Sequence, residues 1–400
     1  MSPRQDDRAE AEAALSRELL FLLDVVAAGL RKQPVPQAPA GLDHDRLSNL
    51  ITFHKLQLGI HGPIGLPAAE ETAVTALRKA AAAHVLVGAQ ELAALARAFE
   101  TAGIELLALK GATLSDQLYG TPAGRYYGDI DILVRPRDAA RALQLLNASG
   151  YGVGEGMFEQ QPNAIFLRAD GRRLPIELHT QLAEYRALFT LGTDEAFAAS
   201  ATGTIAGQKI RTLDLETAIA YAAFHGARHH WSRLGWLVDI AAAASLPHVQ
   251  WPRVAAIAKA TGTERHLAFA MALTRTLLGI APDVPAEMFG DYDARLRRAR
   301  DLTLELVSHP APRGGADPVR SASIALRSTR ADLALHSHPL AKAAAMLSGL
   351  EALVRPTATD RTVLRLPARL DFLYYPVRPF RIASAAIRRH SARRADRSPQ

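Results

Sequence analysis

Cysteine is absent from the 400-residue sequence. Its absence excludes disulfide bonds, thiolate zinc sites and cysteine nucleophiles, and it fits a reducing compartment. Long hydrophobic runs are also missing. The apolar segment LLFLLDVVAAGL, Leu19–Leu30, is short and carries an aspartate, whereas a membrane-spanning helix needs roughly 18–20 apolar residues. The charged N-terminus, MSPRQDDRAEAEAALSREL, does not have the layout of a signal peptide. We therefore expect a soluble cytoplasmic protein without a transmembrane segment.

Positive charge is concentrated near the C-terminus. The formal net charge is +7, and the stretch from Arg378 to Gln400 alone contains seven arginines and one aspartate. The rest of the chain is therefore near neutral and lacks the basic face that broad nucleic-acid binding requires. The basic tail is a candidate contact for an anionic surface such as RNA or lipid.

The pattern of hydrophobic residues predicts an α+β fold, with a small α/β core and a mixed sheet between two helical regions. Within the core, IELLALK, DIDILV, AIFLRA and LPIELHTQ are typical of strands, and Asp170-Gly171 is predicted as the turn between the last two. Asp43 is predicted to cap an early helix. The predicted divisions are an N-terminal helical region at 1–102, the core at 103–200, a helical domain at 201–310, a docked C-terminal segment at 311–382, and a disordered basic tail at 383–400.

Two aspartates, Asp129 and Asp131, lie one residue apart inside the apolar run GDIDILV. On a strand, residues i and i+2 point to the same face, so the two carboxylates would lie side by side. Like charges at this separation repel each other, and a divalent cation between them removes the repulsion. Oxygen ligands favour Mg²⁺ or Mn²⁺. Such pairs also occur on surface strands without a metal, so the pattern alone leaves both possibilities open.

Two further features strengthen the interpretation as a site. LKGA, Leu109–Ala112, reads as a strand end, a glycine and a helix start, and a helix N-terminus with a permissive glycine suits a phosphate. An ordinary strand-to-helix turn is the alternative. IELHT supplies Glu177, which on a strand faces away from Ile176 and Leu178 and shares its face with His179. An exposed glutamate on an edge strand is the alternative there.

At these residues the sequence resembles the nucleotidyltransferase superfamily, whose pattern is a Gly-containing turn, h-D-h-[DE]-h, and a third carboxylate on a later strand. The closer resemblance is to the bacterial uncharacterised nucleotidyltransferase family. The segments that carry it are LKGA at Leu109–Ala112, Arg125, GDIDILV at Gly128–Val134 and HGARHHWSRLGWLVD at His225–Asp239. LPARLDFLYYPVRPFRI near the end is also similar, so the resemblance covers about residues 50–382.

This resemblance implies transfer of a nucleoside monophosphate from an NTP to a hydroxyl-type acceptor, with two ions of Mg²⁺ or Mn²⁺ roughly 3.5–4 Å apart. Asp129 and Asp131 would bind both ions. Glu177 would complete the shell of the catalytic ion and accept the proton of the attacking hydroxyl. Lys110 and Arg125 are candidate phosphate contacts. The acceptor is left open among a small molecule, a sugar, a peptide and a protein.

The turn departs from the superfamily pattern. Active members usually have Gly-Ser, and the serine helps to hold the triphosphate, but here Ala112 follows Gly111. Thr113, Ser115 or Lys110 would have to replace that contact. The departure keeps open an alternative function, a catalytically inactive binding module that acts as a partner in a biosynthetic assembly. An RNA-modifying transferase that uses the basic tail is a third idea, which the near-neutral body disfavours.

Four other polar residues are candidates for contact with the acceptor, because in the superfamily the acceptor often lies between the α/β unit and a following helical bundle. His225 and His229 are four residues apart on a predicted helix, but without HExxH the pair does not indicate a zinc hydrolase. Structural roles are the alternative for each candidate. The four candidates are His179, His225, Arg233 and Asp239.

Overall fold

The computed structural model describes residues 3–153, 164–168, 173–289, 292–309, 318–354, 367–381 and 383–384. The predicted turn at Asp170-Gly171 and almost all of the basic tail lie outside the described residues. No helix in the described part of the chain is long and apolar enough to cross a membrane.

The N-terminal region is helical, as predicted. The Ser16 hydroxyl accepts a hydrogen bond from the Leu19 amide and so starts a second helix directly after the first. Asp43 caps the next helix as predicted, by accepting from the Arg46 amide, and that helix ends at Phe53. The elements are α1 (Pro3–Ala14), α2 (Arg17–Leu30), α3 (His44–Phe53), a 3₁₀ turn (Gln57–Gly59) and α4 (Ala68–Thr101).

A seven-stranded sheet forms the centre of the molecule, in the order β3-β4-β5-β2-β1-β7-β6. β1 and β7 are parallel, as are β2 and β5, and the other neighbouring strands are antiparallel. This mixed sheet among helices confirms the predicted α+β class. The strands are β1 (Leu107–Ala108), β2 (Ile130–Leu133), β3 (Gly152–Val153), β4 (Ala164–Arg168), β5 (Ile176–His179), β6 (Ser200–Ile205) and β7 (Gln208–Leu213).

The hairpin of β6 and β7 extends the sheet beyond residue 200, where the sequence analysis placed the end of the core. Its turn consists of Ala206 and Gly207, both with positive φ, at 47° and 78°. Two residues with positive φ are typical of a tight hairpin turn, but asparagine or aspartate is the usual first residue. Because Ala206 occupies this first position, the sequence pattern of the turn predicts a hairpin only weakly.

Helices cover the sheet and build the C-terminal region. α4 and α6 pack on one face of the sheet around Phe99, Ile132 and Leu146, and a larger helical core lies beyond the other face. The remaining helices are α5 (Ala112–Tyr119), α6 (Ala139–Ala148), α7 (Thr193–Ala198), α8 (Leu215–Arg228), α9 (Leu234–Ala244), α10 (Trp251–Thr261), α11 (Glu264–Leu278), α12 (Ala294–Ser308), α13 (Pro318–Leu335) and α14 (Pro339–Val354). A 3₁₀ turn (Ala368–Leu373) and a short helix at 374–381 follow.

A buried histidine, His54, joins three helices. Its Nε2 lies 3.1 Å from the Val307 carbonyl oxygen on α12, and its Nδ1 lies 3.4 Å from the amide nitrogen of Leu234 at the start of α9. Its own carbonyl accepts from the Gly235 amide at 2.9 Å. This pattern requires a neutral ring with Nε2 donating and Nδ1 accepting. Burial lowers the pKa of His54 to about 3, against the opposing effect of the bond to Val307.

We expect His54 to make stability depend on pH. Because its folded-state pKa lies below the unfolded value of 6.5, the contribution of the neutral ring is present above pH 6.5 and is lost as the pH falls towards 3. In His54→Gln the amide can donate to Val307 but does not titrate. The stability advantage of the native protein should therefore shrink on acidification, by up to about 1.4 kcal/mol per pH unit.

Urea unfolding of both proteins at about pH 7.5 and about pH 5.5 measures this difference. The exposed His248, changed to Gln, is the matched control. A stability difference between the native protein and His54→Gln that stays constant with pH would contradict the assignment.

Candidate active site

The pairing of β2 with β5 brings the predicted acids together. These strands are parallel, and the Cα atoms of Asp131 and Glu177 are directly opposite each other. Alternation along the strands directs Ile130, Ile132, Ile176 and Leu178 into the core under α4 and α6. Asp131, Glu177 and His179 therefore share the other face, as predicted for Glu177 and His179.

Asp131, Glu177 and His179 form a compact group. Each offers a ligand atom, and these atoms all lie within 4.8 Å of one another. His179 Nε2 is 3.3 Å from Asp131 Oδ1 and 3.6 Å from Glu177 Oε2. Lys110 Nζ is 2.9 Å from Asp131 Oδ1. Asp131 is thus buried between a lysine and a histidine, and the two carboxylate donors suit a hard divalent cation.

Opposite charges in the group stabilise each other, whereas the two carboxylates repel each other. Burial alone would raise the pKa of Asp131, but Lys110 and His179 hold it well below its usual value. Burial would lower the pKa of His179, but its hydrogen bond to Asp131 and the nearby carboxylate of Glu177 raise it to about 9. Burial raises the pKa of Glu177, and the charge of Asp131 adds to that effect. At neutral pH, His179 is therefore a cation in this arrangement.

Asp129 lies just before β2 and lines the same cleft, half-buried. It does not belong to the compact group, in which His179 stands instead. Its charge acts on Lys55, which also lines the cleft: burial lowers the pKa of Lys55 and Asp129 opposes this. Both predicted aspartates thus face one cleft, but Asp129 interacts with Lys55 whereas Asp131 pairs with Lys110.

The turn between β1 and α5 carries Lys110 and Gly111. Gly111 has φ 69° and ψ −125°, a conformation that favours glycine. Ala112 is buried. The Thr113 hydroxyl is 3.2 Å from the Lys110 carbonyl oxygen and 3.0 Å from the Thr212 hydroxyl, so it is used within the core. Of these turn residues, Lys110 and Gly111 line the cleft.

Ser115, a further candidate for the missing serine, organises the loop that carries Arg125. Its hydroxyl donates to the Thr121 carbonyl at 2.7 Å and accepts from the amides of Gly124 and Arg125 at 2.9 and 3.2 Å. The hydroxyl is therefore engaged with the protein backbone. Ser115 instead fixes the position from which Arg125 reaches the cleft.

Arg125 and Asp239 form a buried ion pair. Arg125 Nε donates to both carboxylate oxygens of Asp239, at 2.9 and 2.8 Å, and Tyr119 donates its hydroxyl to Oδ1 at 3.0 Å. Burial raises the pKa of Asp239, and Arg125 counteracts it. Arg125 lines the cleft, so Asp239 acts on the cleft by holding the guanidinium in position.

Aromatic and basic side chains of α8 and α9 form the opposite wall of the cleft, whose volume is about 340 Å³. The rings of His225 and His229 are 4.7 Å apart, and Trp236 packs on both, at 5.4 and 5.0 Å. Burial lowers the pKa of His225 well below its usual value and that of His229 to about 3. Both histidines are therefore neutral at physiological pH.

The structure does not bring every predicted residue to the cleft. Arg233 packs on the Phe53 ring, with its guanidinium carbon 3.9 Å from the ring centroid, and donates to the Phe53 carbonyl. It does not line the cleft. Its contacts instead tie the start of α9 to the end of α3.

Sequence reasoning missed three charged residues of the cleft: Lys55, Glu184 and Arg228. Lys55 follows α3 and lies far along the chain from the Lys110–Gly111 turn. Its backbone has the unusual φ of 60°, which the sequence does not indicate. Arg228 lies in the segment HGARHH, in which the histidines and not the arginine match the predicted pattern. Glu184 holds Arg228 through a contact of 3.2 Å from Nη2 to Oε2.

A family model described as uncharacterised nucleotidyltransferase matches residues 57–279, more than half of the 400 residues. The chain belongs to this family. The match includes the Lys110–Gly111 turn, the acids on β2 and β5, and the wall from α8 and α9. No curated protein and no solved structure is similar enough to the chain to count as a match. Membership confirms the predicted family and supports nucleotidyl transfer as the general chemistry.

The Arg125–Asp239 pair predicts strong coupling in stability. Asp239→Asn leaves a buried guanidinium without its counter-charge and should cost about 3–5 kcal/mol. Arg125→Gln should cost a similar amount for the opposite reason. In the double variant the two amides can hydrogen-bond, so its loss should be at least about 1 kcal/mol smaller than the sum of the single losses. Urea unfolding of the four proteins measures this coupling.

Tyr119→Phe is the control in this cycle, because it removes one hydrogen bond to Asp239 and leaves the ion pair. Its cost should be about 1 kcal/mol. Losses for Arg125→Gln and Asp239→Asn that add within about 0.5 kcal/mol would contradict the coupling.

Proposed function

We propose that this protein is a Mg²⁺- or Mn²⁺-dependent nucleotidyltransferase that moves an NMP group from an NTP to a hydroxyl-type acceptor. One observation carries the proposal. Asp131 and Glu177, 46 residues apart in the chain, stand opposite each other on paired parallel strands, in a cleft that contains the Lys110–Gly111 turn.

The triphosphate would bind where α5 begins. The first amides of α5 and its positive dipole end attract phosphate oxygens, and Gly111 adds no side chain to block their approach. Ala112 has no hydroxyl, and those of Thr113 and Ser115 are engaged elsewhere. The charge of the triphosphate would therefore be matched mainly by cations that line the cleft: Lys55, Lys110 and Arg125.

Asp129, Asp131 and Glu177 would hold the ions. A bound Mg²⁺ or Mn²⁺ supplies positive charge that neutralises the phosphates and the leaving group. His179 Nε2 lies 3.3 Å from Asp131 Oδ1, so its proposed role is to hold that carboxylate in position. The acids would meet the ions on the cleft side, opposite the core formed by Ile130 and Ile132.

In the reaction, the acceptor oxygen attacks the α-phosphorus, the bond from that phosphorus to the bridging oxygen breaks, and pyrophosphate leaves. Glu177 would accept the proton of the acceptor hydroxyl. Burial raises its pKa, and this increases the affinity of the carboxylate for that proton.

The acceptor would enter along the wall of α8 and α9. The neutral His225 and His229 and the indole of Trp236 offer it hydrogen-bonding atoms and flat surfaces. Asp239 would affect the acceptor indirectly, by holding Arg125 in position. Arg233 would also act indirectly, by packing the start of α9 against α3. A small molecule, a sugar, a peptide and a protein segment each remain compatible with this wall.

A catalytically inactive binding module is the second candidate, and two observations favour it. Ala112 removes the serine contact of the superfamily. Asp131 is already paired with Lys110 at 2.9 Å and with His179 at 3.3 Å, so its charge is balanced without an ion. Such a module would bind a nucleotide and pass no group on.

Thermal melting with and without Mn²⁺ and each NTP separates the two functions. For the enzyme we expect stabilisation that requires the ion and one NTP together, and that Asp131→Asn and Glu177→Gln abolish, because both changes remove carboxylate charge. Asp116→Asn on α5, outside the cleft lining, is the matched control and should retain it.

Product analysis completes the test. The protein is incubated with labelled ATP or GTP and a cell extract, and nucleotidylated products are sought by mass spectrometry. A labelled product that disappears with Asp131→Asn supports the enzyme. Stabilisation by NTP that survives Asp131→Asn, with no product from ATP or GTP, supports the binding module.

Lys110 should oppose ion binding in the absence of nucleotide, because its ammonium group lies 2.9 Å from the carboxylate of Asp131. In Lys110→Met we expect Mn²⁺ to bind at least about ten-fold more tightly, since a competing positive charge is removed. The same variant should lose NTP-dependent stabilisation. Mn²⁺ titration by electron paramagnetic resonance measures the first effect, and unchanged or weaker ion binding would contradict it.

A further inference from the structure

The C-terminal helices expose an unusual amount of apolar surface. On α14, Leu340, Met346, Leu347 and Leu350 are between 50% and 67% exposed. Starting from Leu340, the exposed Ala343 and then Met346, Leu347 and Leu350 follow at steps of three or four residues, so they form one stripe along the helix. We call these five residues the α14 apolar face. Monomeric soluble proteins rarely expose a contiguous stripe of this kind without an interaction partner.

The opposite side of α14 is firmly packed, so the orientation of the helix is determined by the protein. Ala341, Ala344 and Ala345 are buried. Gly349 approaches α13 so closely that a Cβ atom there would lie 2.1 Å from the Thr329 hydroxyl oxygen. Ser348 donates its hydroxyl to Glu184 at 3.0 Å. The α14 apolar face therefore points outward because the other side carries the contacts.

The chain that follows adds aromatic residues beside this helix. Phe372 and Phe380 are 62% and 78% exposed. Arg378 Nε lies 3.2 Å from the Leu353 carbonyl oxygen at the end of α14, which attaches the segment to that end of the helix. Exposed phenylalanines next to an apolar helix are typical of segments that enter the interface of a lipid bilayer.

The charge of this region selects an anionic partner. Residues 318–400 contain fifteen lysines and arginines and five aspartates and glutamates, a formal net charge of +10, whereas the whole chain carries +7. The part before residue 318 is therefore net acidic. This part includes the whole family match at 57–279, so the excess of basic residues lies outside the matched segment.

We propose that the α14 apolar face binds the surface of a membrane that contains anionic lipids, attracted by the net positive charge of residues 318–400. Stable attachment to a bilayer surface generally needs two signals, an inserted apolar group and a basic patch. The C-terminal region has both signals, the first in the α14 apolar face and the second in its arginines. This inference does not depend on the proposed function.

Flotation of the full chain with extruded vesicles tests the proposal. We expect binding to phosphatidylcholine vesicles with about 30% phosphatidylserine, and at least about ten-fold weaker binding to pure phosphatidylcholine. Leu347→Glu/Leu350→Glu should reduce the binding to anionic vesicles by at least about ten-fold, because each charge would have to enter the interface. Its melting temperature should not change, since both residues are exposed.

The matched control is Leu86→Glu/Val87→Glu on α4, two apolar residues that are 47% and 43% exposed and lie outside the α14 apolar face. This variant should bind like the native protein. Three results would each overturn the proposal: no binding to anionic vesicles, binding that Leu347→Glu/Leu350→Glu does not change, or native self-association in light scattering that this variant abolishes. The last result would assign the face to contact between copies of the chain.

Discussion

The pairing of a buried aspartate with two cations determines the arrangement of the cleft. Asp131 is 2% exposed, and a carboxylate buried to this extent without partners would cost several kcal/mol. Lys110 comes from the end of β1 and His179 from the end of β5, on either side of β2. Asp131 is therefore stable only when all three strands are in register. The same register sets Glu177 beside it, so strand pairing and site geometry depend on each other.

A second buried ion pair, Arg125–Asp239, connects the cleft to the surrounding helices. Arg125 belongs to the loop before β2, whereas Asp239 and its neighbours belong to α9, and Tyr119 at the end of α5 supports the contact. His54 fixes the start of α9 against α3 and precedes Lys55, which lines the cleft. The cleft thus lies at a junction that needs the sheet and both helical regions. Residues from the sheet and from both helical regions therefore line or support the cleft.

What the sequence could predict follows from the range of each interaction. Alternation along a strand is local, and it correctly predicted that Glu177 and His179 project opposite Ile176 and Leu178. Motif resemblance connected distant segments and led to the family. The sequence did not predict Lys55 as a cleft residue, because its position depends on the contacts of His54 with α9. No short sequence pattern encodes those contacts. The hairpin β6–β7 was not predicted because Ala206 replaces the usual turn residue. In addition, β7 pairs with β1, which lies about a hundred residues earlier in the chain.

The electrostatics of the cleft suggest why an ion and a nucleotide would bind together in the proposed function. Lys110 neutralises Asp131, and the acids in turn raise the pKa of Lys110 against the effect of burial. An ion alone would have to compete with that ammonium group for Asp131. A triphosphate alone would bring negative charge towards Asp131 and Glu177 without neutralising them. When both are present, Lys110 can exchange its carboxylate partner for a phosphate, and no buried charge is left unpaired. Coupling of this kind needs one lysine between the acids and the helix that receives the phosphates, which is the position of Lys110, before Gly111 and the start of α5.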